Sequence, residues 1–322
     1  MFSILYSIQT KIKKLFSKVS IKFFNILINK SLLILALTGA SFAGSVSALT
    51  FPLPQHDDVV GELQTTKVRK GESLGELGRR YNVGFYEMME ANPDLDPWLP
   101  PGGAVVVIPT QFILPKGPRV GIVLNLAEMR LYYYHGNSVT TIPVGIGKRH
   151  WSTPLGQTSI VRKQKDPTWY PPEGIKREHL EKGDILPSAV APGPDNPLGR
   201  YAFYLGIKGV LIHGSNYSSG VGVRSSHGCI RCLPEDVETL FHMVPVGTQV
   251  RIVHEPFKVG IHKNRLYLEA HQPITDGRFT GSTSITSLYQ AINAVAPKNH
   301  SINWGSAKWA AEKANGYPSR ID

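Results

Sequence analysis

Two short segments hold the residues whose chemistry stands out. These are Ile212-His213-Gly214 and, after a Ser/Gly-rich loop, Ser226-His227-Gly228-Cys229-Ile230-Arg231. Cysteine is the one hydroxyl or thiol side chain with an appreciable ionised fraction near neutral pH, and a histidine within hydrogen-bond reach raises that fraction by pairing as imidazolium. A thiolate beside such a base is the minimum for acyl transfer through a thioester. Arg231 adds a forked guanidinium suited to a carboxylate. Each residue alone has a blander reading: a small buried cysteine, a core histidine at a strand end, an arginine in a structural salt bridge. Their combination in one short frame favours chemistry.

Cys229 and Cys232 are the only two cysteines, spaced C-x-x-C. In an oxidising compartment such a pair is prone to close into a disulfide, so Cys232 reads either as a buried apolar residue or as a redox partner that silences Cys229 until a thiol reductase reopens it. A thiol oxidoreductase is a further class, but the βαβ thioredoxin pattern is missing. Zinc is considered because His213, His227, Cys229, Cys232 and His242 lie close in sequence; their spacing fits no common zinc pattern, and no metal site is expected.

The elements that must position these residues are mostly strands. Val120 to Leu126 and Met129 to Tyr134 alternate or run apolar, His135-Gly136-Asn137 supplies a hairpin turn, and Val139 to Gly147 returns. Tyr201 to Ile207 pairs with Val210 to Ile212, and Thr248 to Val253 is a last strand. Many short strands with Gly turns predict a mainly β fold, a β-sandwich. Pro234 opens a helix with Val237, Leu240, Phe241 and Val244 on one face, which puts Cys229 on a turn entering a helix and aims backbone N–H groups, including those of Gly228 and Cys229, at a reacting carbonyl. Residues 164 to 200 are proline-rich and read equally as a substrate wall or as a surface excursion. Trp169 and Tyr170 could line a pocket, but aromatics are more often core and they are not assigned.

The site motif resembles the L,D-transpeptidase family (YkuD domain), with His213, Ser226, His227, Gly228, Cys229 and Arg231 matching its signature position for position. The resemblance extends through Gly121 to Tyr134 and Gly193-Pro194-Asp195-Asn196-Pro197, segments similar to its enterobacterial periplasmic branch. It implies that Cys229 is the nucleophile, that His213 is general base and acid with its ring oriented by the Gly214 carbonyl, and that the Gly228 N–H belongs to the oxyanion hole. Arg231, Ser226 and His227 are expected on the substrate side, His227 supporting the loop and Ser226 fixing the turn. The implied substrate is a peptidoglycan tetrapeptide stem that loses its terminal D-Ala. The acceptor is left open between diaminopimelate, giving 3→3 cross-links, the carboxy-terminal lysine of an outer-membrane lipoprotein, and water, which would make the enzyme a carboxypeptidase. No cofactor is implied.

At 322 residues the chain is long enough for about two domains. Residues 49 to 64 carry no apolar periodicity and read as a linker. From residue 65 to 110 a strand near Lys67 to Glu72, a helix opened by the capping box Ser73-Leu74-Gly75-Glu76, a second helix from Phe85 to Ala91 and a strand from Ala104 to Ile108 form a βααβ unit. It resembles a LysM module, which implies binding to N-acetylglucosamine glycans, with a mere spacer as the alternative. The catalytic domain is expected over 117–255, and 256–322 reads as an α/β C-terminal extension with a hairpin and two helices. A non-catalytic glycan-binding scaffold is the competing functional class.

The first 48 residues carry six lysines, no acid, and the apolar run Ser31 to Leu37 before Val46-Ser47-Ala48. They read as a secretory signal peptide cleaved after Ala48, with an uncleaved inner-membrane anchor or a wrongly assigned upstream start as alternatives to so long a basic region. Export follows from that reading, and the resemblance to the enterobacterial branch implies the periplasm. Without those lysines the net charge falls from +11 to +5, and the remaining basic residues are scattered, which speaks against nucleic acid as a partner.

Overall fold

The computed structural model describes residues 48–272, 274, 284–297 and 300–322. The expected signal peptide, apart from Ala48, therefore lies outside the described residues. Among these, no helix is long and apolar enough to cross a membrane. The chain opens with β1 (Leu49–Pro52), β2 (Val59–Gly61), β3 (Gln64–Lys67), α1 (Leu74–Arg80), α2 (Phe85–Ala91), β4 (Val105–Ile108) and β5 (Gln111–Ile113). It continues with β6 (Gly121–Asn125), β7 (Arg130–His135), β8 (Ser138–Pro143), β9 (Ile146–Gly147), β10 (Gly156–Lys165), α3 (Glu173–Glu181), β11 (Tyr201–Leu205), β12 (Leu211–His213), β13 (Arg224–Ser226) and β14 (Ile230–Arg231). It ends with α4 (Pro234–Met243), β15 (Gln249–Val253), β16 (Phe257–His262), β17 (Arg265–Ala270), α5 (Ile285–Asn293), α6 (Trp304–Lys313) and β18 (Ser319–Arg320).

The protein is mainly β. Nine strands form one sheet in the order β1-β8-β7-β6-β15-β10-β11-β12-β14. The sheet curls because β10 changes partner along its length. Residues Gly156 to Ser159 pair with β15, and Ile160 to Lys165 pair with β11 across an irregularity between Ile160 and Arg162. An extra residue in one strand bends it and steepens the local twist, so the two halves fold over a shared interior. Ile122, Leu124, Leu131 and Ile142 from one half meet Phe203, Ile212 and Ile230 from the other, with Val237 and Leu240 of α4 closing the core. The expected sandwich is thus a single sheet turned on itself. Its inner face carries the alternate residues of each strand, and full burial of such side chains contributes about 1.5–3 kcal/mol apiece.

Residues 49 to 64 are not a free linker. β1 adds an edge strand to β8, pairing Leu49 with Thr141 and Phe51 with Val139, and Phe51 packs on Phe112 with ring centroids 6.3 Å apart. β2 pairs with β5. Leu49 and Phe51 supply a two-residue period too short to stand out beside three nearby Pro and Gly residues, and burial against neighbours completes it.

The βααβ unit forms with β3 antiparallel to β4, its first strand a few residues earlier than expected. Ser73 and Glu76 make the reciprocal capping box. Asn92 ends α2 and ties it to β4, exchanging 2.8 and 2.9 Å hydrogen bonds with the backbone of Val107. The unit is docked against the sheet by buried polar groups. Arg130 of β7 donates to Glu87 at 2.6 and 2.9 Å and to the Asn82 carbonyl at 3.0 Å, while the Asn82 amide reaches both oxygens of Asp236 on α4. Gly222 is required at this seam: its φ is +71°, and a Cβ there would stand 2.3 Å from the Phe85 nitrogen.

In the extension, β16, β17 and β18 form a sheet covered by α5 and α6. It joins the rest through Asp58 and Ile261, and through Lys258, whose ammonium lies 2.6 Å from Glu128 and 2.7 Å from Glu269. Glu128, Glu269 and His271 have metal-ligand proximity, but Lys258 already stands as the cation between the two carboxylates.

Candidate active site

The thiol sits where the second half of the sheet ends. β12 lies antiparallel to β11 and parallel to β14, with Ile212 opposite Ile230 and His213 opposite Arg231. Paired residues in register share a face and alternate residues along a strand return to it, so His213, Arg231 and the preceding Cys229 belong to one side of this edge. Cys229 lies just before β14 and is partly exposed.

The His213 ring is buried, and its Nδ1 is 2.5 Å from the Gly214 carbonyl. A carbonyl only accepts, so Nδ1 carries the proton and Nε2 is left with its lone pair. Burial, and then the charge of Arg231, depress the His213 pKa to about 4 against the opposing pull of the Gly214 and Leu198 backbone. The ring is therefore neutral near pH 7. Burial also pushes the Cys229 thiol up, opposed by the Leu211 N–H and by Arg231. The thiol donates to the Gly209 carbonyl at 3.5 Å, not to the imidazole. Burial disfavours charge on the thiol and on the imidazole alike, which works against a thiolate–imidazolium pair at rest.

Arg231 is fixed through its backbone, exchanging hydrogen bonds of 2.8 and 2.9 Å with Gly145. Its Nη1 donates to Ser225 Oγ at 3.2 Å, while its Nε is buried without a partner. Among the described residues no carboxylate pairs with it. An orphaned buried donor costs about 1–3 kcal/mol, so an incoming acceptor has a penalty to relieve.

Two expectations are corrected here. The turn does not enter a helix: β14, Cys232 and Leu233 separate Cys229 from α4, and the nearby positive charge comes from Arg231 instead of a helix end. Gly228 takes φ +100°, as the tight turn before a strand demands, but its N–H is given to Ser226 Oγ at 3.2 Å, so of the two expected oxyanion donors the Cys229 N–H remains. Ser226 is buried and spends its hydroxyl inside the turn, as expected of a residue that fixes it, donating to the Cys229 carbonyl at 2.5 Å. Cys232 is fully buried in the core, three residues along extended backbone from Cys229. At 3.2–3.4 Å per residue their Cα atoms are roughly 10 Å apart with side chains on opposite faces, beyond the reach of about 7 Å for a disulfide.

His227 meets two residues of other segments. Its Nε2 is 2.9 Å from Glu178 Oε2, and Trp151 meets its ring edge-on at 5.1 Å. Glu178, Lys148 and Trp151 are site residues that sequence reasoning missed. Glu178 lies on α3, within the proline-rich segment, where the Pro172-Glu173 start and the Glu178–Lys182 spacing of four were the available signals. That segment is therefore no detached excursion. Trp169 bridges to Val190 within it, and Tyr170 is exposed.

A thiol, an imidazole of fixed tautomer and an unpaired guanidinium nitrogen at the rim of a curled sheet define a site of the YkuD class. Residues 119–252 match the L,D-transpeptidase catalytic domain, YkuD. The chain is 42% identical over 276 residues to the probable L,D-transpeptidase YbiS of Escherichia coli (strain K12), covering 83% of this chain and 90% of that one. It is 38% identical over 283 residues to the probable L,D-transpeptidase ErfK/SrfK of Salmonella typhimurium (85% and 91%), and 42% identical over 255 residues to the probable L,D-transpeptidase YcfS of Escherichia coli (74% and 80%). The chain belongs to the L,D-transpeptidase family.

Proposed function

We propose that this transpeptidase works in the periplasm through a thioester on Cys229, with the tetrapeptide stem of peptidoglycan as acyl donor. The Cys229 thiol passes its proton to His213 Nε2 as sulfur attacks the carbonyl of the residue before the terminal D-Ala. The Cys229 N–H steadies the oxyanion, His213 returns the proton to the departing amine, and D-Ala leaves. An acceptor amine then attacks the thioester, its proton taken by His213, and the thiol is restored. The acceptor is a second diaminopimelate side chain or the terminal lysine of an outer-membrane lipoprotein, with water as the hydrolytic case. Arg231 Nε receives a stem carboxylate, and the βααβ unit holds the glycan.

The observation that carries this reading is the His213 tautomer: Nδ1 is committed to Gly214 and Nε2 is the nitrogen able to take a proton. The transfer requires the thiol to leave the Gly209 carbonyl, a 3.5 Å contact that costs little to break. The spacing of Cys229 and Cys232 along extended backbone favours this reading over a redox couple and a reductase partner. The test is mass spectrometry of the reduced protein mixed with a disaccharide tetrapeptide, beside Cys229→Ala. A thioester adduct with D-Ala release, lost in the variant, is expected. Glycan binding with neither adduct nor D-Ala release from the wild type would leave only the scaffold reading.

A further inference from the structure

Three ammonium or ring donors from three segments converge on one carboxylate beside the catalytic turn. Lys148 and Lys182 reach Glu178 Oε1 at 2.6 and 2.8 Å, and His227 reaches Oε2 at 2.9 Å. Lys148 belongs to the turn after β9, and its backbone N–H bonds the Ser226 carbonyl at 2.9 Å. Trp151, three residues on, lies edge-on to His227, and the tip of its ring meets the start of α3, where a Cβ on Gly174 would come within 2.5 Å of it. The carboxylate and the indole thus clamp α3 to the Ser226–Cys229 turn at two points.

We propose that Glu178 is a positioning residue of the transpeptidase, acting through His227 to hold α3 as the wall of the acyl-donor cleft against the turn that carries Cys229. The proposal rests on the acyl-transfer reading given above. Its chemistry is that of a single acceptor shared by several donors. Lys148, Lys182 and His227 hold the Glu178 carboxyl well below the usual carboxylate range, so it is ionised. Burial lowers the His227 pKa, which favours the neutral ring, and a ring nitrogen facing an ionised carboxylate must present Nε2–H. A glutamine at this position has one accepting oxygen for three donors. Either the two ammonium groups or the imidazole loses its partner, and α3 is released from the turn without removal of any packed atom. The nucleophile itself does not touch Glu178.

The test compares two reactions of Cys229 in the wild type, Glu178→Gln, His227→Ala and the double variant. With the disaccharide tetrapeptide, acylation by Glu178→Gln should fall about tenfold, the loss expected of one charge-assisted hydrogen bond. With iodoacetamide, which needs only the thiol, the rate should stay at the wild-type value. The double variant should acylate no more slowly than His227→Ala alone. Additive losses, or parallel falls in acylation, alkylation and thermal midpoint, would overturn the assignment in favour of a merely structural salt bridge. A wild type that forms no adduct would overturn the acyl-transfer reading instead. The clamp is then judged by the ring 15N shifts of His227, which should report Nε2–H in the wild type and a mixture of tautomers in Glu178→Gln; the same tautomer in both overturns it.

Discussion

Burial disfavours charge on both Cys229 and His213, and a reaction that bypasses the substrate makes this visible. Burial raises the thiol and lowers the imidazole. Alkylation of Cys229 by iodoacetamide should therefore climb with pH through a midpoint above the ordinary thiol value of about 8.5. A plateau already reached in the acid range would reveal a pre-formed thiolate and contradict the neutral pair. Cys232 is the complementary case. It lies in the core with its thiol pushed well up by burial, so Cys232→Ser should respond to oxidant and reductant like the wild type. Placing a hydroxyl there should cost about 1–3 kcal/mol in urea unfolding. A variant of normal stability that escapes oxidative inactivation would restore the redox pair.

At the scale of elements, what binds the βααβ unit to the sheet is a charge pair no solvent reaches. Arg130 and Glu87 are both buried, and the guanidinium also meets Thr141 Oγ1 and lies 4.3 Å from the centre of the Phe112 ring. Glu87→Gln leaves the cation unpaired in the interior, so a loss of about 3–5 kcal/mol is expected, read as a fall in the urea midpoint. An unchanged midpoint would mean the pair carries no docking energy. Elements with local chemistry were legible from the sequence: the Ser73–Glu76 box, the Asn92-Pro93 stop, the hairpin at His135-Gly136-Asn137, and the one-sided apolar face of α4. Those set by distant partners were not. α3 buries Ile175 alone and shows no apolar stripe, and the bend in β10 depends on its having β15 beside one half and β11 beside the other. At the site, residue types and spacing were readable. The His213 tautomer, the capture of the Gly228 N–H by Ser226 and the Glu178 clamp follow from folded contacts that no local pattern encodes.

Across the whole of residues 48–322 as described, the sheet, the βααβ unit and the extension share buried ionisable groups, so stability should respond to pH at their seams. Asp236 is the sharpest case. Burial, its largest influence, pushes its pKa up to about 7; the donors Asn82 and Ala48 pull it down, Glu235 pushes up and Arg130 pulls down. The folded pKa lies above the unfolded value of about 3.9. The carboxyl's contribution is therefore fully present below that unfolded value and is lost as pH rises through about 7. His271, between Glu90 and Glu269, also has a raised pKa, at about 10, so its contribution is present below about 6.5 and fades only as pH rises toward 10. Asp236→Asn removes the first dependence and keeps the second. Its side-chain oxygen still accepts from Asn82, and it cannot ionise. Compared at equal pH, the variant should gain stability relative to the wild type between pH 5 and pH 8, because the wild type alone must then either bury a charge or hold a proton. His271 is common to both proteins and cancels in that difference. Urea midpoints of the two proteins at pH 5 and pH 8 measure it. An identical difference at the two pH values would show that Asp236 is ionised throughout, with the Asn82 and Ala48 donors outweighing its burial.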